Sequence, residues 1–158
     1  MKKIKITDLL IFIVVAELIG VLSAILSGGF SQMYLSLQKP PLSPPGWLFP
    51  VVWSVLYAVM GFSAYIIYNS DKNTSARNKG LFFYTIQLFL NFLWSIIFFR
   101  FELYTFALVD LILLIVAVGI MIILFSKTSK IAGTINIPYF IWLLFAAYLN
   151  LGIIIFNK

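Results

Sequence analysis

Three stripes of side chains at helical spacing carry the chemistry open to this sequence. Phe49, Trp53 and Tyr57 stand at i, i+4, i+8; Gln87, Asn91 and Trp94 at i, i+4, i+7; Pro138, Trp142, Ala146 and Asn150 again at steps of four. Residues so spaced share one face of a helix. Indole and phenol rings offer flat apolar walls with a polar edge, and the amides offer donors and acceptors. Such a set suits a flat, apolar ligand with a few polar groups. The same side chains also serve as ordinary interhelical packing and as hydrogen-bond glue worth about 1 kcal/mol each. Two carboxylates, Glu17 and Asp110, lie in otherwise apolar runs. Charges there are costly and mark function or pairing.

The chemistry is also bounded by what is missing. The sequence has no Cys and no His. That excludes disulfides, zinc sites built on those residues, a Cys nucleophile and a His base. No metal site is expected. No cofactor is required by these residues, and a bound haem iron would lack its usual strong ligands.

The elements holding these stripes follow from composition. Of 158 residues, 63% are hydrophobic and 10% charged, against about 25% charged in soluble domains. The expected fold class is therefore all-α: one integral membrane bundle of five transmembrane helices, over residues 9–26, 47–68, 81–99, 104–125 and 132–156. Each is near the roughly 20 apolar residues a span needs, and helices satisfy backbone groups that lipid cannot. Lys2, Lys3 and Lys5 before an apolar run resemble a signal peptide. With Glu17 inside it and a length of about 18 residues, the run reads instead as a retained first span. Ala16, Gly20, Ser23 and Ser27 give that span a small-residue face for close helix approach. No internal repeat is evident, and residues 69–79 read as a plain solvated connection.

The basic residues sit at span ends rather than in the cluster a nucleic-acid partner would need, so the expected partner is the lipid bilayer. Eight of them (Lys2, Lys3, Lys5, Lys72, Arg77, Lys79, Lys127, Lys130) fall on one side and three (Lys39, Arg100, Lys158) on the other. The positive-inside rule predicts a multi-pass cell-membrane protein with a cytoplasmic N-terminus and the 27–46 loop outside. That loop contains KPPLSPPG at 39–46, whose prolines favour a stiff, extended backbone. At 1.5 Å per residue, Trp53, Trp94, Asp110 and Asn150 lie about 9 Å or less below that outer boundary. Tyr57, Asn91 and Trp142 are somewhat deeper. The stripes converge beneath the proline-rich loop, whichever way the chain is inserted.

These residues resemble the TspO/MBR family, the tryptophan-rich sensory proteins related to the mitochondrial translocator protein (peripheral benzodiazepine receptor). The resemblance rests on Lys39-Pro40, Pro44-Pro45 and Trp47; Trp53-x-x-x-Tyr57-x-x-Met60-Gly61; Gln87-x-x-x-Asn91-x-x-Trp94; Ala107-Leu108-Val109-Asp110; and Pro138-Tyr139-x-x-Trp142 with Leu149-Asn150. It covers nearly the whole chain. It implies a five-helix bundle, commonly a homodimer, with a pocket under the first loop for porphyrins and synthetic benzodiazepine-receptor ligands. By position that pocket would use Ser23, Leu26, Phe49, Val52, Trp53, Tyr57, Asn91, Trp94, Phe106, Asp110, Trp142, Ala146 and Leu149. Protoporphyrin IX or a related tetrapyrrole is the implied ligand or substrate. Light-dependent oxidative breakdown is the implied activity, with Trp53 and Trp142 as its catalytic tryptophans.

Lys39 and Arg100 are the cations available to porphyrin propionates. Three departures stand out. Leu42 occupies a position where the family often has Trp, and Phe106 another. Tyr148 has no basic residue shortly after it, so a cholesterol-recognition pattern is not supported. Two other functions fit the composition. One is a small transporter of hydrophobic compounds or porphyrins using Glu17, which a proton-coupled uptake assay on Glu17→Gln would separate from porphyrin binding. The other is a stress-sensing receptor acting by partner contact, for which the short loops leave little surface.

Overall fold

A computed structural model describes residues 5–28 and 31–158. Lys2 and Lys3, part of the charge asymmetry, lie outside the described residues. Among those described there is no strand, and five helices are long and apolar enough to cross a membrane. In chain order the helices are α1 (Ile6–Leu26), α2 (Ser31–Ser36), α3 (Leu48–Tyr68), α4 (Thr74–Ser95), α5 (Tyr104–Thr128), α6 (Lys130–Thr134) and α7 (Ile137–Phe156). The last turn of α4 widens into a π-turn, Ile96–Arg100.

The two largest differences from the sequence reading are at the start of α4 and within the last span. The 69–79 segment is mostly helical, because Asn73 adopts a left-handed conformation (φ 45°) and its side chain accepts from the Ala76 amide at 3.3 Å. That cap starts α4 at Thr74, with Ala76 and Gly80 buried and Asn78 and Lys79 exposed. The polar residues there cover the solvent face of a helix, which composition alone reads as a loop. The fifth span is broken into α6 and α7. Pro138 lacks an amide hydrogen and its ring crowds the carbonyl four residues back, at Thr134, where α6 ends.

Small residues set the helix spacing. Ala16, Ser23 and Ser27 are buried, so the small-residue face of α1 does turn inward. A β-carbon on Gly61 of α3 would meet the α1 backbone, Ile13 Cα and Phe12 O, at 2.7 Å. Without strong hydrophobic drive between helices in lipid, such close contact and interhelical hydrogen bonds hold the bundle. α5 packs along α4 and α7, and α1 along α3.

The proline-rich loop is fastened to α7. Pro40 is buried in the notch left by Gly152, where a β-carbon would overlap its ring. The Tyr148 hydroxyl donates to Pro41 O at 2.8 Å. Asn157 accepts from the Gln38 amide at 2.9 Å and donates to Gln38 O at 2.8 Å. Leu42, at φ 66°, is 84% exposed at the tip, so the residue standing where the family often has Trp points away from the bundle.

Candidate functional site

A hydrogen-bonded chain ties three helices together at the base of the site. The Tyr57 hydroxyl (α3) donates to Asn91 Oδ1 (α4) at 3.0 Å. Asn91 Nδ2 donates to the Tyr139 hydroxyl (α7) at 2.8 Å, and Tyr139 donates to Gln87 Oε1 at 2.8 Å. Gln87 Nε2 completes the run on Met60 Sδ at 3.4 Å. All are buried. Each amide has both ends engaged, so the chain holds one rotamer at each position. Tyr139 is the functional residue that the stripe of fours missed. Pro138 is exposed, and the inward face of α7 is Tyr139, Leu143, Ala146, Leu149, Asn150 and Ile153. The available signal was a phenol beside a proline in an otherwise apolar run.

Above this chain a cleft of about 200 Å³ lies between α1, α3 and α4. Trp53, Tyr57 and Asn91 form one side, and Gly20, Val21 and Ala24 the other. Trp53 and Tyr57 lie with ring centroids 5.8 Å apart at 37°, and Trp53 meets Tyr139 edge-on at 6.2 Å. Val21, Ala24, Pro50 and Ser54, all exposed, rim the cleft, so it opens sideways towards lipid.

A second, much smaller hollow of about 20 Å³ lies under α2. Phe49, Trp94, Ala146 and Leu149 line it, with Tyr34 from the loop. Tyr34 meets Phe49 edge-on at 5.2 Å and donates to Pro44 O at 2.9 Å. Burial pushes its phenol above the ordinary tyrosine range, which keeps it a neutral donor. Trp94 stacks on Phe98 at 5.1 Å, from the π-turn, and its indole N–H donates to Asn150 Oδ1 at 3.3 Å. Trp53 and Trp142 both pack against the cluster of Tyr34, Phe49 and Leu149, which links the two spaces. The Trp142 ring meets Phe49 at 6.0 Å, and its Nε1 is buried without a hydrogen-bond partner.

The thirteen residues expected around a ligand therefore divide. Trp53, Tyr57 and Asn91 line the cleft; Phe49, Trp94, Ala146 and Leu149 line the hollow. Val52 packs on the core beside Trp53 and Trp142. Ser23 is committed to helix packing, donating to Phe92 O at 2.9 Å. Asp110 is buried outside both spaces, with Oδ2 unpartnered. Leu26 is exposed, and Phe106 is 66% exposed in an outer groove with Glu102 and Lys158. The structure does not bring Phe106 to the others, because Ala107, Asp110, Leu111 and Leu114 take the inward face of α5.

The two cations expected for propionates are engaged at the end of the bundle that carries the proline-rich loop. Lys39 Nζ donates to Tyr34 O at 2.8 Å and lies 4.5 Å from the Tyr34 ring centroid. Arg100 donates to Leu26 O at 3.0 Å, joining the outer ends of α4 and α1. Both retain further N–H donors. Glu17 is half-buried, one turn before Gly20 on α1.

The bundle, its loop and its aromatic cleft can be set beside known proteins. The chain is 38% identical over 149 residues to the Tryptophan-rich protein TspO of Archaeoglobus fulgidus, covering 90% of this chain and 95% of that one. It is 36% identical over 127 residues to the Tryptophan-rich protein TspO of Chlorobaculum tepidum, covering 80% of each. It is also 36% identical over 120 residues to the human Translocator protein, covering 75% of this chain and 71% of that one. The profile of the TspO/MBR family matches residues 12–156. With that span matched and the fold in agreement, this multi-pass membrane chain belongs to the TspO/MBR family.

Proposed function

We propose that this protein binds a tetrapyrrole, protoporphyrin IX or a close relative, beneath the proline-rich loop and promotes its light-dependent oxidative breakdown. The observation that carries this reading is the Trp53–Tyr57 wall lining, with Val21 and Ala24 of α1, a cleft open to lipid. A flat apolar ring lies favourably on such a wall, and a ligand soluble in the bilayer enters from the side. Asn91 and Tyr57 are polar groups on the cleft itself, and Trp142, packed on the cluster that Trp53 also touches, carries an unpartnered Nε1. Synthetic benzodiazepine-receptor ligands, which share the flat apolar shape, would take the same site.

At about 200 Å³ the cleft is smaller than the roughly 300–1,000 Å³ of sites that enclose drug-sized ligands. A macrocycle therefore needs one wall to yield. α1 is the wall that does so, with 11% of its apolar window buried against 33–44% for the other four spans. Release of Lys39 or Arg100 from its carbonyl partner then frees a cation for the propionates. Light absorption belongs to the macrocycle and dioxygen is the oxidant. In this reading Trp53 and Trp142 supply an oxidisable indole beside the ring or intercept the oxygen species formed there. The protein works as a homodimer in the cell membrane, N-terminus cytoplasmic, with no cofactor besides the porphyrin.

The test is quenching of tryptophan fluorescence by protoporphyrin IX in the purified protein, followed by illumination and absorption spectra. Saturable quenching and loss of the porphyrin bands are expected. If Trp53→Phe and Trp142→Phe proteins bind and degrade the porphyrin at the original rate, the tryptophan role is wrong. If no saturable binding occurs, the tetrapyrrole reading fails.

A further inference from the structure

At the end of the bundle opposite the proline-rich loop, the α3–α4 connection and the α5–α6 junction enclose a recess of about 500 Å³. Three lysines come together on it, Lys72 from the connection and Lys127 and Lys130 from the junction. All three are exposed, and their ammonium groups have no hydrogen bond or ion pair among the described residues. No carboxylate lines the recess, although Asp71 precedes Lys72 in the chain and leaves the local balance positive.

Hydroxyls complete the polar wall. Ser126 Oγ has no hydrogen bond among the described residues. Ser129 Oγ accepts from the Ala132 amide at 3.4 Å and keeps its own proton to donate. Thr128, also on the wall, spends its hydroxyl proton on Leu124 O at 3.5 Å and adds no donor. The arrangement is built rather than incidental: Gly133 allows α6 to fold onto Ser126, and a β-carbon there would collide with the Ser126 side chain. The remaining lining is Ser70, whose Oγ accepts from the Lys72 amide at 3.3 Å and keeps its own proton to donate, together with the apolar Ile66 and Ile131, the latter 67% exposed.

We propose that this recess is a binding site for the phosphate of an anionic phospholipid head group. Three unpaired ammonium groups and three hydroxyl donors suit a phosphate's oxygens. The isoleucines, at the level where the spans end, suit the first carbons of an acyl chain. A soluble phosphate ester shares the first chemistry but has no use for the second. The site is remote from the aromatic cleft, and the inference is independent of the tetrapyrrole reading.

The experiment uses the delipidated full-length protein in neutral detergent, offered equal amounts of phosphatidylglycerol and phosphatidylcholine, with bound lipid read by native mass spectrometry. A preference for phosphatidylglycerol of about tenfold or more is expected, since each basic residue at a membrane surface contributes severalfold. Lys127→Gln with Lys130→Gln should remove most of that preference. Lys5→Gln with Lys79→Gln, an equal loss of charge at the same end of the bundle but outside the recess, should change it much less than the first pair does. Equal effects of the two pairs, or none from the first, would overturn the site.

Millimolar inorganic phosphate is the second arm. If it displaces the lipid, with the same lysine dependence, the lipid assignment gives way to a soluble phosphate ester. A photoactivatable phosphatidylglycerol on the unmutated protein gives a readout independent of variant folding. Label at Ile66, Ser70, Lys72 or residues 126–131 supports the proposal, and label confined to other residues overturns it.

Discussion

The ring of Tyr57 lies so close to Gly20 that a β-carbon on Gly20 would overlap it. Tyr57 cannot retreat freely, because its hydroxyl is bonded to Asn91. α1 and the aromatic wall are thus matched at one glycine. Gly20→Ala should force α1 outward or tilt the ring, at a cost of about 1–3 kcal/mol from overpacking. Thermal unfolding in detergent should show the loss, and porphyrin titration should show altered affinity. Unchanged unfolding and unchanged affinity together would mean that α1 does not bear on Tyr57 in the membrane.

The Tyr57–Asn91–Tyr139–Gln87 chain makes a graded prediction. Asn91→Leu leaves the Tyr57 hydroxyl without its acceptor and takes one donor from Tyr139, and should destabilise the bundle by about 1–2 kcal/mol. Tyr139→Phe removes two hydrogen bonds at one atom and should cost a similar amount. A double-mutant cycle in a reversible unfolding assay should return less than the sum, since both variants break the Asn91–Tyr139 bond. Strict additivity would contradict the network.

Trp142 separates binding from stability. Its buried Nε1 has no partner, and an unmet donor costs about 1–3 kcal/mol. Trp142→Phe removes that donor while keeping an aromatic ring against Phe49 and Phe145. Stability should hold nearly level, offset only by lost ring area, while porphyrin affinity falls if a ligand acceptor meets Nε1. A large drop in unfolding temperature with normal binding would assign Trp142 to packing alone.

The loop gives a prediction about access. Gly152→Val fills the notch that seats Pro40. Faster amide exchange at residues 37–46 is expected, together with faster porphyrin association if ligand also enters under the loop. Tyr148→Phe, which loses one bond to Pro41 O, should produce the same change in smaller measure. Slow exchange in Gly152→Val would show that the prolines alone stiffen the segment.

Much of the bundle was legible because lipid leaves few options. Apolar runs of spanning length must be helices, and five of them were visible in hydrophobicity, with boundaries shifted where Asn73 caps α4 and Pro138 breaks the last span. The small-residue face of α1 was also legible, since close approach needs small side chains. Site residues were legible as types and depths. Trp53, Tyr57 and Asn91 lie on one cleft as their spacing suggested. Pro138, placed by spacing, and Phe106, placed by the resemblance, are both exposed: spacing shows which residues share a face, and only packing shows which face turns inward.

By itself, then, the sequence determined an all-α membrane bundle, a stiff loop, a one-sided excess of positive charge and a chemistry without His or Cys. Local chemical rules suffice for these, because each depends on residue type and on neighbours within a few turns. The tertiary structure decided that Tyr139 closes the chain between Tyr57 and Gln87, that Pro40 seats on Gly152 and that Lys72 joins Lys127 and Lys130. Each of these pairs residues distant in the chain. Their meeting depends on the rotation and offset of packed helices, which glycine contacts of a few ångströms set.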